Sequence, residues 1–281
     1  MSRVRALVLT GYGLNCDYET DYALRCAGAE SYRVHINSFI FGSSLGEHVR
    51  LEDYHILVFC GGFSWGDDHG AGVIMASKIK RHLGDEIYKF IDDGKLILGI
   101  CNGFQVLVNL GLLPGFDRDY RKRKVALTYN DKGNFIDAWV NLRFSAASPC
   151  VFTKGIEKME LPVRHAEGKF YASEEVLQRL QANNQIVATY CKPDGSPAQG
   201  EWPANPNGSL LDIAGICDPT GRVFGLMPHP EAFNHFTNHP DWAHLKEKSK
   251  RLNKSITQQE GEGIKIFKRA VRYIEENLDL A

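Results

Sequence analysis

Leu98 to Leu107 reads LGICNGFQVL, placing Cys101 between Gly99 and Gly103 where an apolar run gives way to an amphipathic one. A cysteine in G-x-C-x-G spacing at a strand-to-helix turn has the geometry of a nucleophile elbow, with sulfur in place of oxygen. The glycines let the turn close. The first turn of the following helix then offers free N–H groups and a positive dipole end, both of which favour thiolate over thiol. Such a nucleophile needs a base, and the base needs an orienting group. Met227-Pro-His229-Pro-Glu231 supplies both. Pro230 biases His229 to an extended conformation and Pro228 fixes its own torsion, so residues two apart project to the same side. His229 and Glu231 are therefore expected side by side, the carboxylate fixing the imidazole tautomer as in an acid-base-nucleophile triad.

The other sulfur and imidazole groups read as structural. Cys16, Cys26, Cys150, Cys191 and Cys217 have no such setting and are expected to be packed thiols. Cys60 ends a strand directly before Gly61-Gly62 but has no helix starting after it; core packing is expected, with the glycines freeing N–H groups for an anionic oxygen. His235 and His239 stand four apart, but Pro240 disfavours helical geometry at His239 and no acid or thiol lies at ligand spacing. Solvent-exposed histidines are expected there, and no metal site.

Elements with a matching pattern must position these residues. VRALVL (4–9), SYRVHI (31–36), HILVFC (55–60) and KLILGI (95–100) read as strands alternating with helices. One helix is expected from about residue 18 to 27, with Asp17 as N-cap and Gly28 just past its end, and another over 72–93 in one or two pieces. Continuous apolar strands separated by helices imply an α/β fold with a parallel sheet covered on both faces. Ligands bind such sheets at the carboxyl ends of the strands. HILVFC runs into GGFSWGD there, and KLILGI runs into CNGFQ.

From about residue 122 to 225 shorter runs (KVALTY, FIDAWVNLRF, IVATYC, RVFGLM) and turn signals such as DKGN and NPNGS predict a more antiparallel region. A short helix over 174–180 capped by Ser173, and a C-terminal helix carrying Ile264, Phe267, Val271 and Ile274 at helical spacing, complete the pattern. Residues 234–261 are polar, lack a sustained apolar stripe and read as a surface excursion. No repeat or linker splits the chain, so residues 1–281 are expected to form a single domain.

With 281 residues, 43% of them hydrophobic, the chain can bury a large core. Its 33 basic and 34 acidic residues give a net charge of -1, so no global field favours nucleic acid or an anionic membrane as partner. The N-terminal apolar run is shorter than the ~7 to 15 residues of a signal-peptide core. The seven cysteines are odd in number and form no CxxC pair, which fits reduced thiols and a cytoplasmic location.

GICNGFQVL, GGFSWGD and MPHPE together resemble the class I, triad-type glutamine amidotransferases, and among them the glutaminase subunits of phosphoribosylformylglycinamidine synthase. Gly13-Leu-Asn-Cys-Asp17, PVRHAEGKFY (162–171), PANPNGSLLDIAGI (203–216) and the closing helix extend the resemblance over most of the chain. It implies a flavodoxin-like open, mostly parallel sheet with an added antiparallel region. It also implies hydrolysis of L-glutamine to glutamate and ammonia through a thioester on Cys101, with His229 moving the proton and Glu231 orienting it. Backbone N–H groups of Gly62 and Asn102 would form the oxyanion hole, and Gly61, Phe63, Gln105, His165 and Glu167 would contact substrate. The implied partners are a synthetase subunit and a small third subunit. No G-x-x-x-x-G-K-[ST] loop is present, so no cofactor is expected in this chain, and ATP and Mg would belong to the synthetase. Asp68 to Gly70 stands where a Leu-Arg pair would be expected, and Ala232-Phe233 follows the His-Pro-Glu run in place of Arg-Ala, which bears on partner docking rather than on the triad.

Two other readings compete. A cysteine hydrolase on a related flavodoxin-like scaffold also uses a thiol at a strand-helix elbow, but the distant His-Pro-Glu pair and the GGFSWGD loop argue against it. A non-catalytic, glutamine-binding regulatory subunit is disfavoured because all three triad residue types are retained.

Overall fold

The structure, a computed structural model, describes residues 3–41, 49–252, 260–278 and 280. The alternating first half forms as its pattern predicts: β1 (Arg5–Thr10), α1 (Asp17–Cys26), β2 (Glu30–His35), α2 (Ile36–Phe41), β3 (Ile56–Phe59), α3 (Val73–Asp92), β4 (Leu96–Ile100) and α4 (Asn102–Leu110). The expected helix over 72–93 is one unbroken piece. Asp17 is not the N-cap of α1. Cys16 takes that position without a side-chain cap, and the buried Asp17 pairs with Arg33 at 2.8 Å. A salt bridge across to β2 thus holds the carboxylate that could have capped the helix.

The second half contains β5 (Val125–Thr128), β6 (Ile136–Phe144), β7 (Lys158–His165), β8 (Lys169–Ala172), α5 (Glu174–Ala182), β9 (Ile186–Cys191), β10 (Ile213–Cys217) and β11 (Val223–Leu226). Ser173 caps α5 as expected, accepting from the Val176 N–H at 3.4 Å. β7, β8 and β10 carry no clear strand signal. β7 contains Pro162, which is tolerated because β7 is an edge strand paired only with β6.

The large sheet has nine strands in the order β2-β1-β3-β4-β11-β10-β9-β6-β7, and β5 and β8 make a separate antiparallel pair. From β2 to β11 neighbours are parallel; from β11 to β7 they are antiparallel. β11 is the seam, antiparallel to β10 yet parallel to β4. Its carboxyl end therefore lies beside those of β4 and β3, which brings three distant loops to one edge.

Every residue of β3, β4 and β11 is buried, as expected for strands covered on both faces. α3 packs against α4, and α1 against the C-terminal helix α7 (Ile264–Asn277). Phe59, Phe104, Phe152, Phe224 and Phe267 are fully buried in one core.

The polar excursion contains a helix without an apolar stripe, α6 (Trp242–Arg251), which buries none of its residues. Residues 253–259 of the excursion lie outside the described residues. Its base is anchored rather than solvated: His239 is buried, its ring 4.8 Å from that of Trp139 and its Nε2 3.2 Å from Glu160. The expectation of an exposed histidine fails there, because Trp139 and Phe233 form an aromatic seat for the imidazole. His244 is exposed and His235 partly so.

Candidate active site

Cys101 sits between β4 and α4 with φ 50° and ψ −106°, a backbone conformation that L residues adopt only under constraint. The constraint comes from both sides. Its N–H donates to Leu226 O of β11 at 2.8 Å, and its carbonyl accepts from Gln105 N at 3.1 Å. The flanking glycines permit the closeness: a Cβ at Gly103 would lie 1.9 Å from Phe59 O, and one at Gly99 would lie 2.6 Å from Leu107 Cδ1. The sulfur is 3.6 Å from Arg164 O of β7.

β11 delivers the second component. His229 and Glu231 are both buried, and Nδ1 of the imidazole lies 2.6 Å from Oε1 of the carboxylate. The His229 N–H donates to Pro162 O at 2.8 Å, so the edge strand β7 steadies both the histidine backbone and the cysteine sulfur. The imidazole Nε2 is buried and has no hydrogen-bond partner among the described residues. Burial works against charge on His229, but the Glu231 carboxylate and the nearby Cys101 sulfur outweigh it and hold the imidazole well above its usual value.

β3 supplies the third loop. A Cβ at Gly61 would meet His229 Cε1 at 2.7 Å, so this position is shaped to admit the imidazole. Gly62 has φ +143° and pairs as an isolated bridge with Leu14, and Phe63 N donates to Gly13 O. The N–H of Gly62 makes no backbone hydrogen bond among the described residues. Asn102 opens α4, so its N–H has no intrahelical acceptor. Cys60 is buried, its thiol donating to Leu9 O at 3.3 Å and pushed well up by burial, as a packed thiol should be.

A family model described as the CobB/CobQ-like glutamine amidotransferase domain matches residues 3–274. The chain belongs to that family. Phosphoribosylformylglycinamidine synthase subunit PurQ of Methanococcus maripaludis is 48% identical over 269 residues, spanning 96% of this chain and 97% of that protein. The PurQ subunit of Dehalococcoides mccartyi is 44% identical over 275 residues, spanning 97% and 98%. A solved structure of PurLQS from Thermotoga maritima matches with a TM-score of 0.68 at 30% identity, over 97% of this chain and 99% of that one.

The amidotransferase chain places its other expected site residues around Cys101 in different ways. Gln105 is buried, and its amide is engaged: Nε2 donates to Glu167 O at 2.5 Å and Oε1 accepts from Asn102 Nδ2 at 3.0 Å. It ties α4 to the turn between β7 and β8. Glu167 is half-buried, its Oε2 accepting from Ala71 N at 3.2 Å. Phe63 is 40% exposed, its ring tilted against Phe135 at the surface. His165 instead points its ring into a buried network, with Nδ1 3.1 Å from Asn130 Oδ1 and Nε2 3.5 Å from Asn207 Nδ2. Burial, then the charge of His229, lowers its pKa to about 3, so it is a neutral structural ring at physiological pH.

Two further groups outside the expected set lie close to Cys101 or His229. Asp67 accepts from Asn102 Nδ2 at 3.1 Å and is raised to about 6 by burial and then by the Glu167 carboxylate. Cys16, expected to be an inert packed thiol, has its sulfur 3.9 Å from His229 Nδ1. The signal available was its place in Gly13-Leu-Asn-Cys-Asp17, the turn that the β3 loop pairs against.

Proposed function

We propose that this chain is the glutaminase subunit of a phosphoribosylformylglycinamidine synthase, acting as one amidotransferase unit over residues 1–281. The observation that carries the chemistry is the convergence of Cys101 with a buried His229–Glu231 pair whose Nε2 is left free. The near-full-length likeness to PurQ subunits supports the choice of reaction.

In this reading the Cys101 thiolate attacks the side-chain amide carbon of L-glutamine. The developing oxyanion is held by the N–H groups of Gly62 and Asn102. As the C–N bond breaks, the His229 imidazolium gives its Nε2 proton to the departing nitrogen, and ammonia and a thioester result. Water then attacks the thioester, His229 takes its proton, and glutamate leaves. Glu231 holds the ring orientation and offsets its charge throughout. Gln105 and Glu167 border the substrate, with Gly61 and Phe63 on the opposite loop.

Ammonia passes to a synthetase subunit, where ATP and Mg amidate formylglycinamide ribonucleotide, and a small third subunit joins them. The Thermotoga maritima PurLQS structure supports that assembly. No helix among the described residues is long and apolar enough to cross a membrane, and a cytoplasmic location fits the reduced cysteines.

Ammonia release from L-glutamine, measured for the chain alone and with its synthetase partner, ATP and formylglycinamide ribonucleotide, tests this directly. Cys101→Ala should lower release by roughly 10³-fold or more, and the partner should accelerate the unmodified protein. Release that survives Cys101→Ala, or none from the unmodified protein under either condition, would remove the glutaminase assignment.

A further inference from the structure

The mechanism uses one face of the His229–Glu231 pair and leaves the other to Cys16. The Cys16 sulfur, His229 Nδ1 and a Glu231 carboxylate oxygen all lie within 4.8 Å of one another, on three buried residues. Sulfur and Nδ1 are 3.9 Å apart, and Nδ1 and Oε1 are 2.6 Å apart. The second carboxylate oxygen of Glu231, Oε2, is buried with no hydrogen-bond partner among the described residues. Gly61 presses against Cys16 Sγ and the imidazole together, since a Cβ there would lie 3.2 Å from one and 2.7 Å from the other. Thiolate, imidazole and carboxylate are the three ligand types that Zn²⁺ favours, at about 2.3, 2.0 and 2.0 Å. A tetrahedral ion with those bonds has ligand-to-ligand edges of roughly 3.3 to 3.6 Å. Closing the sulfur–nitrogen edge by about half an ångström, opening the nitrogen–oxygen edge by less than one, and bringing the carboxylate, within 4.8 Å of the sulfur, to the same spacing turns this trio into such a site.

The geometry points to an inhibitory site for a thiophilic divalent cation, Zn²⁺ or a close substitute, formed by Cys16, His229 Nδ1 and Glu231. The cation replaces the thiol proton of Cys16 and the Nδ1 proton of the His229 imidazolium, and both protons leave to solvent. The proton on Nε2 stays. With Nδ1 bound to metal, Nε2 no longer takes up and returns a proton at Cys101, and Glu231 no longer orients the ring. Binding rests on the geometry alone; its consequence for turnover rests on the glutaminase reading.

Cobalt(II) titration of the full-length Cys101→Ala protein separates the two, since thiolate ligation gives a near-ultraviolet charge-transfer band and the nucleophile is absent. The band should appear with one equivalent of cobalt, and adding Cys16→Ser, which keeps the packing volume, should abolish it and weaken uptake by about tenfold or more. Zn²⁺ should also inhibit ammonia release by the unmodified protein, with the half-inhibitory concentration rising by about tenfold in Cys16→Ser. A band that persists in Cys16→Ser, or no band in Cys101→Ala, would overturn the site. A band in Cys101→Ala together with no ammonia release from the unmodified protein, alone or with its synthetase partner, would sustain the metal site and reject the glutaminase reading.

Discussion

Asp67 shows how one side chain in the loop beside Cys101 is set by its surroundings. Burial and the facing Glu167 carboxylate raise it to about 6, against the hydrogen bond from Asn102. The unfolded chain ionises this group near 3.8, so between that value and about 6 the unfolded state gives up its proton first. Stability is therefore lost as pH rises through that window. A shift of about two units corresponds to roughly 3 kcal/mol for a fully enclosed group, and partial exposure reduces this to about 1 kcal/mol. Asp67→Asn, which keeps an acceptor for Asn102, should raise stability by that amount near neutral pH and by nothing at about pH 4. Urea melts at the two pH values check it; a gain of equal size at both would mean that charge is not the cause.

At the scale of elements, the elbow is a contact between α4 and β3 as much as a turn. Gly103 packs on the Phe59 carbonyl with no room for a methyl group. Gly103→Ala should cost about 3 kcal/mol or more, because either the helix or the strand must shift. A Cβ at Gly84, within α3, would meet nothing outside the helix backbone closer than Tyr88 Cε2 at 3.9 Å. Gly84→Ala should instead stabilise the protein by about 0.5 to 1 kcal/mol through helix propensity. Thermal unfolding of the two variants side by side tests the claim, and similar effects from both would deny the elbow its close approach. The pattern that predicts a strand, a tight turn and a helix at Cys101 is local, and so is the His-Pro-Glu run. The strand β7, whose carbonyls at Pro162 and Arg164 meet His229 and Cys101, was hidden by its proline.

At the scale of the molecule, His165 links regions far apart in sequence. It ends β7, bonds Asn130 near the end of β5, and meets Asn207, which in turn donates to Gly168 O at 2.9 Å and to Tyr190 Oη at 3.1 Å. Its folded pKa of about 3 lies below the ordinary 6.5. Below about pH 6.5 the unfolded chain takes up a proton that the folded network refuses, so stability falls with acidification until about pH 3. The slope from this group is up to about 1.4 kcal/mol per pH unit. His229, raised rather than lowered, acts in the opposite direction, and only near and above pH 6.5. In His165→Asn, a less stable protein, proton uptake on unfolding near pH 5 should drop by about one. Stability measured across that range checks it, and an unchanged acid slope would show that the ring is not held neutral.

The sequence by itself determined the α/β alternation, the cysteine elbow, the histidine–glutamate pair and the cap of α5, because each depends on residues within one or two turns of chain. Tertiary structure decided the rest. Only sheet pairing makes β11 a parallel neighbour of β4, and that registry sets His229 next to Cys101. Only the bridge between Leu14 and Gly62 carries Cys16 to the far side of the imidazole. His165 and Glu167, two residues apart, part ways for the same reason: one ring turns inward to asparagines from distant loops, while the carboxylate reaches Ala71. Periodicity and spacing report which face a residue takes along its own element; they carry no information about which strand lies alongside, and there the chemistry of this site is assembled.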